Sequence, residues 1–273
     1  MKVTLIISIL FLFASCKKHN STITNLNSNK IDVLGHAGSG IASLYPINSM
    51  ESFLNCFSEG ANGTELDVQL TADDVLVAFH DENLNNSTNL TGKVRSKTWE
   101  ELSNGFYDVV PMTQYKIIRV KDLLEATYSS DRIFTFDIKL LQDSQESQQL
   151  YMDVFAQKIS DLFIEYNLYD QAFVESQSEA FILTLAGTDS SIKQFIYPQI
   201  FEDGLSIATG NDLFGITIST KNISAEQVDF AHSLGLRVTI WDVHSKKENR
   251  EAVIKNPDMI QTDKVNYLVQ YLN

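Results

Sequence analysis

From position 31 onward the chain alternates short apolar runs with longer stretches in which apolar residues recur every three or four positions. The short runs (31–36, 63–70, 75–79, 133–139, 172–176, 193–197, 215–218, 237–241 and 259–262) read as strands, most of them rich in Val, Ile and Phe. Between most of them lie helical patterns: "SMESFLNCFSEG", "RVKDLLEATYSS", "YMDVFAQKISDLFIEY", "AEQVDFAHSLG" and "KVNYLVQYL". Strand–helix alternation of this kind predicts an α/β fold, a parallel sheet with helices outside it. About 240 residues carrying roughly eight such units is the size of a (β/α)8 TIM barrel. Nine strands are one too many for a barrel. The run 75–79 follows its predecessor through the tight turn "TADD", which predicts a small hairpin excursion after the second strand. The rival architecture, a doubly wound open sheet, calls for a Gly-rich loop after an early strand. "GHAGSG" lacks the G-x-G-x-x-G spacing of such a loop.

The first thirty residues do not share this pattern. Lys2 is followed by the apolar stretch "VTLIISILFLFA" and then by "SC", ending in Cys16. The stretch is too short to span a bilayer and has the length of a signal-peptide core. A cysteine directly after Ala14 and Ser15 resembles the lipobox of bacterial lipoproteins, in which that cysteine becomes the acylated first residue. The expected organisation is a signal peptide over 1–15, a lipidated Cys16 with a flexible polar tether over 16–30, and one globular domain over 31–273. Such a protein would sit in the bacterial cell envelope and meet the membrane only through its anchor. Cys56, between Phe53 and Phe57, then has no disulfide partner and reads as a small core residue.

Charge narrows the function. Of 273 residues, 35 are acidic and 21 basic, for a net charge of −14. A polyanion of this kind offers nothing to neutralise a nucleic-acid backbone, so no nucleic-acid partner is expected. A small phosphorylated ligand needs only a local metal ion and one or two cations. Residues two apart on a strand share a face, so Glu65 and Asp67 project together, and so do Asp137 and Lys139. Burying isolated carboxylates costs several kcal/mol each unless they are paired or bound to a cation. Three carboxylates from two strands suit one hard, oxygen-preferring divalent cation, Mg²⁺ or Ca²⁺, and no Cys/His zinc spacing is present. His36 and His80 close two strands, where imidazoles are suited to proton transfer at neutral pH. His244, beyond Trp241, and Ser176 with Gln177 fall at strand ends facing the same mouth, whereas His232 sits on a peripheral helix and reads as solvated.

These residues carry a resemblance. "GHAG…PINSMESF…GANGTELDVQLTADDVLVAFHDENLNNSTNLTGKV" is similar to the glycerophosphodiester phosphodiesterases. The family pattern runs His-Arg-Gly, Pro-Glu-Asn, Glu-x-Asp-Val-x-x-Thr-x-Asp-Gly and His-Asp. "FTFDIKL", "LGLRVTIWDV" and "PDMIQTD" continue the resemblance more weakly, to about residue 266. It implies a barrel that cleaves glycerophosphodiesters, small-molecule substrates, to sn-glycerol 3-phosphate and an alcohol. It further implies that Glu65, Asp67 and Asp137 bind the metal, that His36 and His80 are the acid–base pair, that Lys139 contacts phosphate and that Trp241 lines the glycerol pocket. By sequence alone Trp241 could equally be core. Four departures stand out: Ala37 replaces Arg, Ile47 replaces Glu, Asp137 replaces Glu, and Asp74 replaces the turn glycine. The lost arginine removes a bidentate phosphate contact. The alternative reading is therefore a barrel that binds a phosphodiester or sugar-phosphate with reduced catalysis, or a phosphodiesterase of altered substrate preference.

Overall fold

The computed structural model describes residues 22–127, 131–142 and 146–273. Cys16 and the 1–15 segment lie outside these. Eight strands form a closed parallel barrel: β1 (Asp32–Gly35), β2 (Gly63–Leu70), β5 (Ile133–Ile138), β6 (Ala172–Ser176), β7 (Gln194–Ile196), β8 (Gly215–Ser219), β9 (Arg237–Val243) and β10 (Met259–Thr262). Closure comes from β1, which pairs in parallel with β10 on one side and with β2 on the other. The hairpin excursion is present. Beyond the barrel rim β2 pairs antiparallel with β3 (Leu76–Ala78), which in turn pairs antiparallel with β4 (Ile118–Arg119). The two-residue β4 was not legible, because it runs directly into the helix that follows.

The period-two alternation of the strands sorts side chains to two sides. Outward residues such as Leu66, Val68, Phe134, Phe136 and Val174 pack with the helices in one apolar cluster, and Ile216, Ile218, Val238, Ile240 and Ile260 pack in another. These layers bury the apolar faces of α1 (Met50–Ser58), α4 (Gln148–Tyr166) and α9 (Val265–Leu272), among others. Cys56 is fully buried on the inner face of α1, and burial pushes its thiol up to about 12, so it stays an inert core group. Leu34, Phe173, Phe195 and Met259 form a separate cluster drawn from four strands, which fills the barrel's lower interior. The upper interior is left to polar residues.

Residues 23–30, read from the sequence as part of a flexible tether, lie against the N-terminal end of the barrel. Ile23 packs on the apolar cluster, Asn25 donates to the Pro257 carbonyl at 2.7 Å, and Asn27 donates to Asp32 Oδ2 at 2.6 Å. The amide side chains of this segment satisfy strand-end backbone groups that would otherwise need water. The folded unit therefore reaches a few residues further toward the N-terminus than position 31.

Candidate active site

The C-terminal ends of the barrel strands gather the chemistry, as the barrel architecture requires. Glu65 and Asp67 on β2 and Asp137 on β5 are all buried, and one oxygen from each lies within 4.8 Å of the others. The register of the two strands, with Asp67 opposite Asp137, places them side by side. Three groups hold the cluster in place. The Ala37 amide donates to Glu65 Oε2 at 2.7 Å. Asn48 grips Asp67 twice, its Nδ2 donating to Oδ2 at 2.6 Å and its Oδ1 accepting from the Asp67 amide at 3.1 Å. The Lys139 ammonium lies between Asp67 Oδ1 at 2.9 Å and Asp137 Oδ2 at 2.7 Å.

One cation among three buried carboxylates leaves an excess of negative charge, and the electrostatics record it. Burial, followed by repulsion from Asp67 and Asp137, pushes Glu65 well above the usual carboxylate range. Burial also raises Asp137, against the pull of Lys139. Asp67 alone goes the other way: burial opposes ionisation, but Lys139, His80 and Asn48 together hold it low. Glu65 Oε1 is buried with no hydrogen-bond partner among the described residues. An unsatisfied carboxylate oxygen facing two more carboxylates is a donor set suited to a hard divalent cation. Asp137, shorter than the family's Glu, still reaches the cluster. Below it Glu175 on β6 accepts from Gln261 at 2.6 Å, and its carboxyl is pushed up to about 8 by burial and by Asp137.

Each candidate histidine has its Nδ1 held by a carboxylate. His36 Nδ1 meets Asp263 Oδ1 at 2.8 Å, and His80 Nδ1 meets Asp81 Oδ1 at 3.0 Å. Ser87 donates to the other Asp81 oxygen. A carboxylate at Nδ1 places the N–H there and leaves Nε2 as the working nitrogen.

His244 bonds both Asp263 Oδ2 at 2.7 Å and Asp242 Oδ1 at 2.8 Å. A carboxylate at each ring nitrogen favours the protonated imidazole. Its partial burial opposes this, but the two aspartates raise its pKa. Asp263 therefore bridges two imidazoles 6.1 Å apart, which hold it below the usual range despite burial. His36, His244 and Asp263 could also hold an ion, but their atoms already satisfy one another, whereas the carboxylate cluster has an orphan.

The loop after β1 packs tightly against Asp263. At Gly40, with φ of 80°, a Cβ would lie 2.4 Å from the Asp263 Cα, so only glycine fits. Ala37 itself sits at φ of 47° with its side chain buried. At the position of the family's arginine this chain thus keeps the backbone donor to Glu65 and loses only the side chain. Asp74 occupies the left-handed turn at φ of 58°, and Arg95 donates to its Oδ1 at 2.7 Å.

Trp241 is partly buried at the mouth, edge-on to Tyr197 at 5.1 Å and 6.4 Å from His36. Ser176 is buried and accepts from the Ser178 amide, and with Gln177 it borders a cavity of about 390 Å³ beside Asp137 and Lys139. His232 is not solvated as expected. Its side chain is largely buried, with Nε2 2.9 Å from Asp258 Oδ2, because its helix α7 (Ala225–Ser233) packs against β9, whose Val238 amide donates to the same aspartate. The residues that follow β9, "HSKKENR", lead into α8 (Lys246–Val253), which Ser245 caps. The sequence reading passed over Asp263, Tyr197 and Glu175 as site residues. Asp263 had a signal, since "QTD" belongs to the motif of the closing strand.

Comparison with known proteins points to one family. A glycerophosphodiester phosphodiesterase of Bacillus altitudinis is 48% identical over 66 residues, 24% of this chain and 27% of that one, so the match spans about a quarter of the relative. One from Caldanaerobacter subterraneus subsp. tengcongensis is 26% identical over 85% of this chain and 93% of its own length. Among solved structures, a phosphodiesterase of Oleispira antarctica in complex with the product sn-glycerol-3-phosphate superposes with a TM-score of 0.78 at 16% identity, covering 88% of this chain and 96% of that one. A putative glycerophosphodiester phosphodiesterase from Galdieria sulphuraria gives 0.77 at 19%, covering 92% and 99%. Residues 39–267 match the glycerophosphoryl diester phosphodiesterase family across most of the chain, and with the barrel they show that this protein belongs to that family of phosphoric diester hydrolases.

Proposed function

We propose that the protein is a metal-dependent phosphodiesterase that hydrolyses glycerophosphodiesters to sn-glycerol 3-phosphate and an alcohol. The observation that carries this reading is the juxtaposition, at one barrel mouth, of a buried carboxylate cluster with an orphan oxygen and two histidines each held at Nδ1. Glu65, Asp67 and Asp137 would hold one Mg²⁺ or Ca²⁺. When bound, such an ion neutralises charge on the phosphoryl oxygens. Of His36 and His80, one takes the proton of the attacking hydroxyl at Nε2 and the other returns a proton to the departing alkoxide. Lys139, one-fifth exposed between its aspartates, supplies a cation toward the phosphate, and Trp241 forms a wall for the glycerol. Asp263 and Asp81 keep the two imidazoles oriented.

Release of glycerol 3-phosphate from glycerophosphocholine and glycerophosphoethanolamine tests the proposal. Residues 22–273 should release it with Mg²⁺ or Ca²⁺ and stop in chelator. His80→Ala should lower kcat about 10²- to 10⁴-fold, the range of a lost general acid or base. Tight metal binding without release from any diester would instead favour the binding barrel, which the losses at Ala37 and Ile47 motivate.

We further propose attachment to the bacterial cell envelope through an acylated Cys16, on the strength of the apolar stretch and the "ASC" sequence. Cells fed labelled palmitate should incorporate it into the full-length chain but not into Cys16→Ser. Equal labelling of the two would refute the anchor.

A further inference from the structure

The two histidines of the site look onto different surroundings. His36 lies among Trp241, His244 and Asp263, a polar and aromatic wall. His80 opens onto a cavity of about 310 Å³ whose walls include Pro46, Ile47, Phe79, Tyr107, Val109 and Val110. That volume lies at the lower end of small-molecule sites. Among the described residues the one carboxylate lining it is Asp81, which is already bonded to His80 and Ser87. Among the described residues no free carboxylate faces the cavity to receive a cationic head group such as choline. Ile47 instead presents an apolar side chain to it. At the rim Ile41 and Val109 stay 64% and 54% exposed, apolar groups left in water next to a reacting centre.

Resting on the phosphodiesterase reading above, we infer that this cavity is a subsite for an apolar ester arm. The preferred substrates are then phosphodiesters of glycerol in which the second alcohol is an alkyl or aryl alcohol. The glycerol lies toward Trp241 and His36, and the apolar arm enters between Ile47 and Val109 beside His80. Buried methylenes in such a cavity each contribute about 0.8 kcal/mol, a three- to four-fold gain per carbon. Ile47 and Val109 are the specificity-determining positions.

The test is the chain-length dependence of kcat/KM across sn-glycero-3-phosphomethanol, -butanol and -hexanol, with glycerophosphocholine alongside, in the metal-loaded protein. The expected result is a rise of about three-fold per added methylene over the first carbons, with glycerophosphocholine below the hexyl ester. Ile47→Glu and Val109→Asp should each flatten that rise. Val109 is on an exposed loop position, so its substitution does not threaten the fold. A flat series in the wild type, or a slope unchanged in both variants, overturns the subsite and leaves the phosphodiesterase reading standing. No release from any of the four diesters overturns both.

Discussion

Glu65→Gln is expected to abolish diesterase activity while making the metal-free protein more stable. Both effects have one cause. Glu65 is buried, its Oε2 is held by the Ala37 amide, and its Oε1 has no partner among the described residues. Ionised, it adds a third negative charge to a pocket in which Lys139 is the buried counter-charge. The isosteric amide removes that charge and with it a ligand for the proposed ion. An ion that stabilises transition-state charge by several kcal/mol is worth about 10³-fold or more in rate, and that is the loss to look for. The stability effect depends on pH with a definite sign. Because the folded-state pKa of Glu65 lies above its ordinary 4.5, its contribution is fully present below 4.5 and is lost as pH rises through the raised value. In chelator, then, the Tm advantage of the variant should grow with pH. With the ion bound the order should reverse, because only the wild type keeps the full ligand set. Melting curves from pH 4.5 to 9, with and without Ca²⁺, would check this. A variant that retains activity would remove Glu65 from the site.

Lys139→Met makes the complementary experiment. Its ammonium pairs with both Asp67 and Asp137, and its two partners are nearly inaccessible to solvent. Removing one side of a buried ion cluster typically costs about 3–5 kcal/mol, because the remaining charges stay desolvated. For a chain of this size each kcal/mol moves Tm by roughly 2–4 °C, so the metal-free variant should melt about 10 °C lower. A divalent cation should restore most of that, since it supplies the positive charge the lysine did. Thermal melts in chelator and in Ca²⁺ decide the point. Equal destabilisation in both would mean that the carboxylates do not share an ion, and no destabilisation would mean that they were never strained.

Much of the barrel was legible because its signal is local. Each of the nine expected strands is present, with ends displaced by one or two residues where strands run into turns; β7 is Gln194–Ile196 where 193–197 was expected. The helices α5 (Glu179–Thr188) and α6 (Phe201–Gly210) were not singled out. Their first turns are charged, but α5 then runs "AFILTLAG" with little polar face, and "GLSIATG" in α6 carries two glycines. Neither shows a clean period of 3.6. Helix α2 (Trp99–Ser103) is only five residues long, yet Thr98 and Glu101 form a complete capping box, a cue available in "TWEE".

Sequence alone determined which residues could share a face. Glu65 with Asp67, and Asp137 with Lys139, follow from the two-residue period of an extended chain, whatever the fold. It also determined which residue types were present for proton transfer and ion binding. What surrounds them was decided only by the tertiary structure. Asp263 reaches His36 across 227 positions of chain, because β10 closes the barrel against β1. Asn48 reaches Asp67 from the loop before α1, and Gln261 reaches Glu175 across the barrel interior. Barrel closure brings together strand ends from all along the chain, and no local period encodes which of them meet. The same closure leaves Glu65 Oε1 without a partner, and it sets Ile47 and Val109 around one cavity beside His80.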